Sequence, residues 1–394
     1  MSAVAVETSQ AGRLLVPFSF AAFLGFLAVG IPLPVLPTYV SQQLGFGPIL
    51  VGGIVGLQSL ATLLTRQVAG RQCDARGPKR TSLLGYLCAS VAGLCYLISW
   101  GLVGQPLLAL AILVVGRLLM GLGESLFITA LVAWSIGRVG HAHAGRAMAW
   151  SGIAMYGALA IGAPLGTLIQ PWGGFAAVAA ATILLPAVGA LFIAGWPDAA
   201  IEASERTSFI RILGLIWAPG LAMAFASSGV GTIAAFLTLR YQSQDWSGAG
   251  FALTGFGAAY IGMRLLFGGL PDRIGGYRVA VISLVVEAVG QLAIWHAASP
   301  FEALAGATLT GLGYSLVFPS LGIEAIRRVG AANRGMVLGA YMACFDLGLA
   351  LAGPAAGVIA HTFDLPATFI GASVAALVAI ALTLTSYVQS RANA

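Results

Sequence analysis

Residues 65–77 read TRQVAGRQCDARG, and residues 263–275 read MRLLFGGLPDRIG. Both place an Arg, then a Gly, then an Asp at steps of four: Arg66, Gly70, Asp74 and Arg264, Gly268, Asp272. Each copy closes a long apolar run. Two further matches keep the same order. GLGESL (121–126) pairs with GLGYSL (311–316), and Arg146-Ala-Met148 pairs with Arg334-Gly-Met336. Three ordered matches indicate a duplicated unit. Two like halves with a site between them suit a carrier that opens alternately to either side.

Composition supplies the solvent. The 394 residues are 59% hydrophobic and only 8% charged, with 53 Gly. A soluble chain would carry far more charge, so the expected medium is a bilayer. Crossing its hydrocarbon core of about 30 Å takes about 20 apolar helical residues. Twelve such runs lie near 14–40, 48–69, 81–101, 107–134, 145–169, 173–196, 212–238, 249–270, 278–296, 301–323, 335–360 and 367–388; they are numbered spans one to twelve. The longest connection, PDAAIEASERTSFIR (197–211), splits them six and six. The expected fold is an all-α integral membrane protein of twelve transmembrane helices in two pseudo-symmetric six-helix bundles. The N-terminal bundle is 1–198, the cytoplasmic linker 199–211 and the C-terminal bundle 212–394. The first run is too long for a signal h-region and lacks a small-residue cleavage site, so it reads as an uncleaved span.

Charge sets the orientation. Of the 19 Lys and Arg, all but Arg66, Arg117, Arg240 and Arg264 fall in segments on one side. The positive-inside rule then puts both termini in the cytoplasm. The net charge of +6 is therefore a topology signal, and no nucleic-acid partner is expected. None of the four cysteines falls in an outer loop, so no disulfide is expected. His141 and His143 lack further ligands at metal spacing, so no metal site is expected. No HExxH, GxSxG or P-loop motif appears, which excludes the corresponding enzymes.

The loop after spans two and eight resembles the major facilitator superfamily motif G-x-x-x-D-R-x-G-R-R. The first copy departs from it at Ala75 and Pro78; the second keeps Asp272 and Arg273. GRLLMGLGE (116–124) resembles that superfamily's span-four motif, and GALAIGAPLG (157–166) its span-five Gly/Pro motif, common in exporters. GIPLPVLPTYV, LLTRQVAGR and SLVFPSLGIEAI add a nearer resemblance to the YhhS/YfcJ group of bacterial inner-membrane MFS-type transporters. The resemblance implies a bacterial inner-membrane carrier with no cofactor. It also implies that Asp74 and Asp272 each face a helix start in the opposite half. A carboxylate there contributes roughly 0.3–1 kcal/mol. The matching cations are Arg334 for Asp74 and Arg146 for Asp272, forming a cytoplasmic latch with Arg273. Gly70 and Gly268 are expected to let another helix pack close.

Inside the runs, charge is rare and costly. Arg117 and Glu124 share a face of span four, about 10 Å apart. The corresponding second-half positions are Ala307 and Tyr314, so packing does not demand charge there. Asp346 lies about 18 Å into span eleven, near the midplane. Low dielectric disfavours a charged carboxylate, which makes Glu124 and Asp346 candidate proton sites, with Arg117 as a charge that changes partners. Arg264 and Glu287 lie at similar depth on neighbouring spans and are expected to pair. Gln58, Tyr156, Tyr260, Tyr314 and Tyr341 are further cavity candidates. The expected function is proton-antiport efflux of a small polar or amphipathic solute. The alternatives are proton-coupled uptake of a sugar or metabolite, and a non-transporting membrane sensor on the same frame.

Overall fold

The computed structural model describes residues 8–140, 144–198, 209–329 and 334–392. Every regular element among them is helical. Among the described residues eleven helices are long and apolar enough to cross a membrane. One of them, Ala144–Ala194, has 51 residues and would measure about 77 Å if straight. That is more than twice the hydrocarbon thickness. It breaks at Gly173–Gly174, where Gly174 takes φ 57°, a conformation side chains disfavour. The two parts, 144–172 and 175–194, are spans five and six. The count is therefore twelve.

Proline and glycine punctuate the spans. Span two (Pro48–Arg76), span three (Pro78–Gly101), span four (Pro106–Val139) and span ten (Pro300–Val329) each begin on a proline, whose missing N–H costs nothing in a first turn. Gly77 and Gly275 end the two copies of the duplicated loop with φ 83° and 96°. This left-handed turn is what the final glycine of each copy supplies. Span one is α-helical over Thr8–Gly30 and then stops. Pro32 and Pro34 cannot donate to a helical ladder, so residues 31–35 form turns before Leu36–Thr38 and a π-helical turn at Tyr39–Gln43. Span seven (Trp217–Gln242) contains its own π turn at Ile233–Leu237.

Chain contacts form two compact units. The first comprises Met1–Pro32 and Ala61–Ser204; the second comprises Leu33–Leu60 and Glu205–Ala394. In the first unit, spans one and five cross at backbone contact: a Cβ on Gly162 would lie 3.0 Å from Gly30 Cα. The duplication recurs in packing. A Cβ on Gly123 of span four would lie 2.7 Å from Gly85 O and 2.9 Å from Ala89 N of span three. In the second unit Gly313 of span ten meets Ser283 O and Glu287 N of span nine in the same way. Leu64, Leu107, Leu191, Leu266 and Phe301 are among many large apolar side chains left exposed. Such a surface is at home in lipid.

Candidate functional site

In the first unit Arg117 is almost wholly buried, at 1% exposure. Its Nη1 donates to Tyr96 Oη of span three at 3.4 Å, so this arm of the guanidinium is directed within its own unit. Glu124 is half-buried on the same helix, and Tyr156 of span five is 8% exposed. Thr62 Oγ1 donates to Gly121 O at 3.1 Å, tying span two to span four between the two charges.

The second unit brings more of the expected residues together. Tyr260 and Tyr314 have ring centroids 6.1 Å apart, tilted by 40°. Ser315 Oγ donates to Tyr260 O at 2.7 Å, and Arg264 Nη1 donates to Ser315 O at 3.0 Å. Tyr341 of span eleven donates to Phe318 O of span ten at 3.0 Å, with Arg264, Tyr260 and Tyr314 nearby. Three tyrosines and a guanidinium from spans eight, ten and eleven thus form one cluster. Asp346 is buried a little more than one turn beyond Tyr341, and Gln58 is buried in span two.

Three expectations need correction. Arg264 and Glu287 do not pair: Arg264 bonds a span-ten carbonyl, and neither Glu287 carboxylate oxygen has a hydrogen-bond partner among the described residues. Depth along a helix was legible, whereas the direction each side chain faces was not. Gly70 admits no close helix among the described residues, because a Cβ there meets nothing within 4 Å. At Gly268 the added Cβ would meet the carbonyl of Arg264 on its own span, where the helix ends before the short helix Leu270–Ile274. Asp74, Asp272 and Arg273 are exposed and Arg146 is half-buried. The Arg334 side chain, His141 and His143, and most of the 199–211 linker lie outside the described residues.

Two features escaped the sequence. Glu324 Oε1 accepts from Gly276 N–H at 3.0 Å and from Arg327 at 2.9 Å, seating a carboxylate on the start of span nine. Asp198 does the same for span three, accepting from Lys79 N–H at 3.3 Å. The two acids come from non-corresponding helices, so the repeat gave no signal. The other feature lies in the second unit, at the membrane face opposite the termini. Gln42 Nε2 donates to Gln242 Oε1 at 3.1 Å, and Gln242 Nε2 donates to Thr38 Oγ1 at 2.9 Å. Beside this clasp, Gly52 and Gly56 of span two abut the Gly353 and Ala350 carbonyls of span eleven. Thr38 and Gln42 occupy the places in span one that Thr238 and Gln242 occupy in span seven. That offset was the available signal.

The Major Facilitator Superfamily model matches residues 18–249 and 219–394. The chain belongs to the major facilitator superfamily. It is 46% identical over 371 residues to an uncharacterised MFS-type transporter of Pseudomonas aeruginosa, covering 94% of this chain and 92% of that one. A Salmonella typhimurium MFS-type transporter is 43% identical over 364 residues, covering 92% and 94%. Among solved structures, a point mutant of the nucleoside transporter NupG aligns over 95% of this chain and 100% of its own, with TM-score 0.76 and 14% identity. The human organic anion transporter MFSD10 aligns over 95% and 99%, with TM-score 0.70 and 16% identity. These two likenesses concern the fold. The protein is a multi-pass, secondary-active transporter that moves a small solute by alternating access. Among the described residues no group of three His, Cys, Asp or Glu is arranged to hold a metal.

Proposed function

We propose that this transporter takes up a small metabolite bearing a planar ring, driven by the proton gradient. The observation that carries this reading is the Tyr260–Tyr314–Tyr341 cluster around Arg264. Tyrosine faces stack on rings, their hydroxyls bond sugar or ring oxygens, and a guanidinium neutralises an anionic substituent. A nucleoside and an organic anion both answer that description, and those are the solutes in the names of the two structural neighbours. Glu124 and Asp346 are the proton-coupling carboxyls, and Arg117 exchanges partners as they titrate.

Bundles 1–198 and 212–394, joined by 199–211, rock about the solute with both termini in the cytoplasm. Asp74 with Arg334, and Asp272 with Arg146, latch the cytoplasmic side. Export by antiport is the second reading, favoured by GALAIGAPLG in span five. That motif has a packing role as well, since its Gly162 is where span five crosses Gly30. GIPLPVLPTYV, LLTRQVAGR and SLVFPSLGIEAI support kinship with the YhhS/YfcJ group.

The deciding measurement uses proteoliposomes under an imposed pH gradient and a panel of labelled nucleosides, organic anions and sugars. A member of the panel moves with protons from the acidic side and accumulates on the alkaline side only with active protein, and Tyr314→Ala weakens its affinity. If every panel member stays at equilibrium in the uptake direction and one is instead driven outward, the export reading replaces this one.

A further inference from the structure

Glu287 is fully buried in the middle of span nine, about 16 Å from its start at Gly276. Among the described residues neither carboxylate oxygen meets a hydrogen-bond donor. One turn further along the same face, Gln291 is also fully buried, and its Oε1 meets no donor either. Its Nε2 donates to Gly229 O of span seven at 3.2 Å. The amide is therefore fixed in orientation, because a carbonyl oxygen only accepts and a turned amide would face it with another acceptor. Both side chains converge on Gly229. A Cβ there would lie 2.5 Å from Glu287 Oε1 and 2.9 Å from Gln291 Nε2. Two buried side chains thus end at one glycine, carrying three oxygens that meet no donor among the described residues.

Charged neighbours do not resolve this. Span nine packs against spans seven, ten and twelve and the short helix Leu270–Ile274. Their charged residues are Arg240 on span seven, Glu302, Glu324, Arg327 and Arg328 on span ten, Arg391 on span twelve, and Asp272 and Arg273 on the short helix. All sit near helix ends. The titratable Tyr241 and Tyr387 are likewise terminal, and Tyr314 lies in the tyrosine cluster. The fold itself does not require an acid. Gly313 abuts the backbone of Glu287 as Gly123 abuts that of Ala89, so the corresponding first-half residue is an alanine.

We propose that Glu287 and Gln291 form a proton-binding site inside the second half, separate from Glu124 and Asp346. The site is filled while span seven is seated at Gly229. A carboxylic acid brings its own donor hydrogen, and Gln291 Oε1 is the acceptor one turn away. An ionised Glu287 here would be a buried charge with neither a cation nor a hydrogen bond. The step is a simple proton equilibrium: carboxylate plus a proton from water gives the acid, with no other bond changed. Loss of the proton leaves a charge facing the Gly229 backbone and drives span seven from its seat.

The test is infrared spectroscopy of the full-length protein in lipid, which needs no solute and so stands apart from the transport reading. Wild type at neutral pH shows a carboxylic-acid C=O band that shifts in heavy water and is lost in Glu287→Gln. Gln291→Leu, which keeps the acid but removes its acceptor, moves the same band to higher frequency and serves as the second variant should Glu287→Gln fail to fold. A spectrum in which neither substitution alters an acid band overturns the proposal. So does a band that appears only when sodium is withdrawn, since the site would then hold a metal cation.

Discussion

Glu287 and Ala89 show how much one side chain adds to a shared backbone. The same glycine-lined crossing accepts either, so the carboxyl is an addition to the fold and not a requirement of it. Gly229 has no such latitude. Gly229→Val drives its Cβ against Glu287 Oε1 and Gln291 Nε2 and destabilises the protein by about 1–3 kcal/mol, as overpacking does elsewhere; thermal melting in detergent reads this directly. In the tyrosine cluster, loss of one stacking ring removes about 0.5–1.5 kcal/mol. Tyr314→Ala therefore raises the half-saturating solute concentration roughly two- to tenfold, whereas Tyr314→Phe keeps the ring and changes it less. Equal affinity in wild type and Tyr314→Ala would remove Tyr314 from the solute site.

Helices were more legible than their faces. Runs of apolar residues gave the spans, because they depend only on local composition; the prolines at helix starts and the turns at Gly77 and Gly275 set the ends. The interruption of span one at Pro32 and Pro34 is local in the same way. The Arg264–Glu287 expectation failed because matching depth leaves rotation about the helix axis undetermined. Gly70 misled for a related reason: a glycine permits a close crossing but does not require one. Gly30 and Gly162 do require it. Gly162→Leu separates spans one and five and lowers the yield of folded protein, measured by size-exclusion of the solubilised carrier. The Gln42–Gln242 clasp offers a sharper check. With both residues replaced by Cys, oxidation cross-links them and arrests transport, and reduction restores it. A cross-linked protein that still transports would show that these elements do not separate during the cycle.

At the scale of the whole molecule, the low charge and the motifs pointed to a membrane carrier of this superfamily, and the family match agrees. Solute and direction were not legible, since they depend on side chains that meet only after folding. Coupling is tested by Glu124→Gln and Asp346→Asn. Each abolishes accumulation driven by the pH gradient while leaving solute-for-solute exchange in place. Unaltered accumulation in both variants would make these acids structural, and a sensor role would then be the better account. Span seven bears on the same question through its winding. A π turn holds one residue more than an α turn, so everything beyond Ile233–Leu237 is rotated by about 100° from where an uninterrupted helix would place it. Gly229 lies before that surplus residue and Gln242 after it. Deleting a single residue from the turn restores α winding, keeps the seat at Gly229, and carries Gln242 more than a quarter-turn from Gln42. The alignment of a buried acid at one end with a hydrogen-bonded closure at the other is thus a matter of phase, set by one residue of helix.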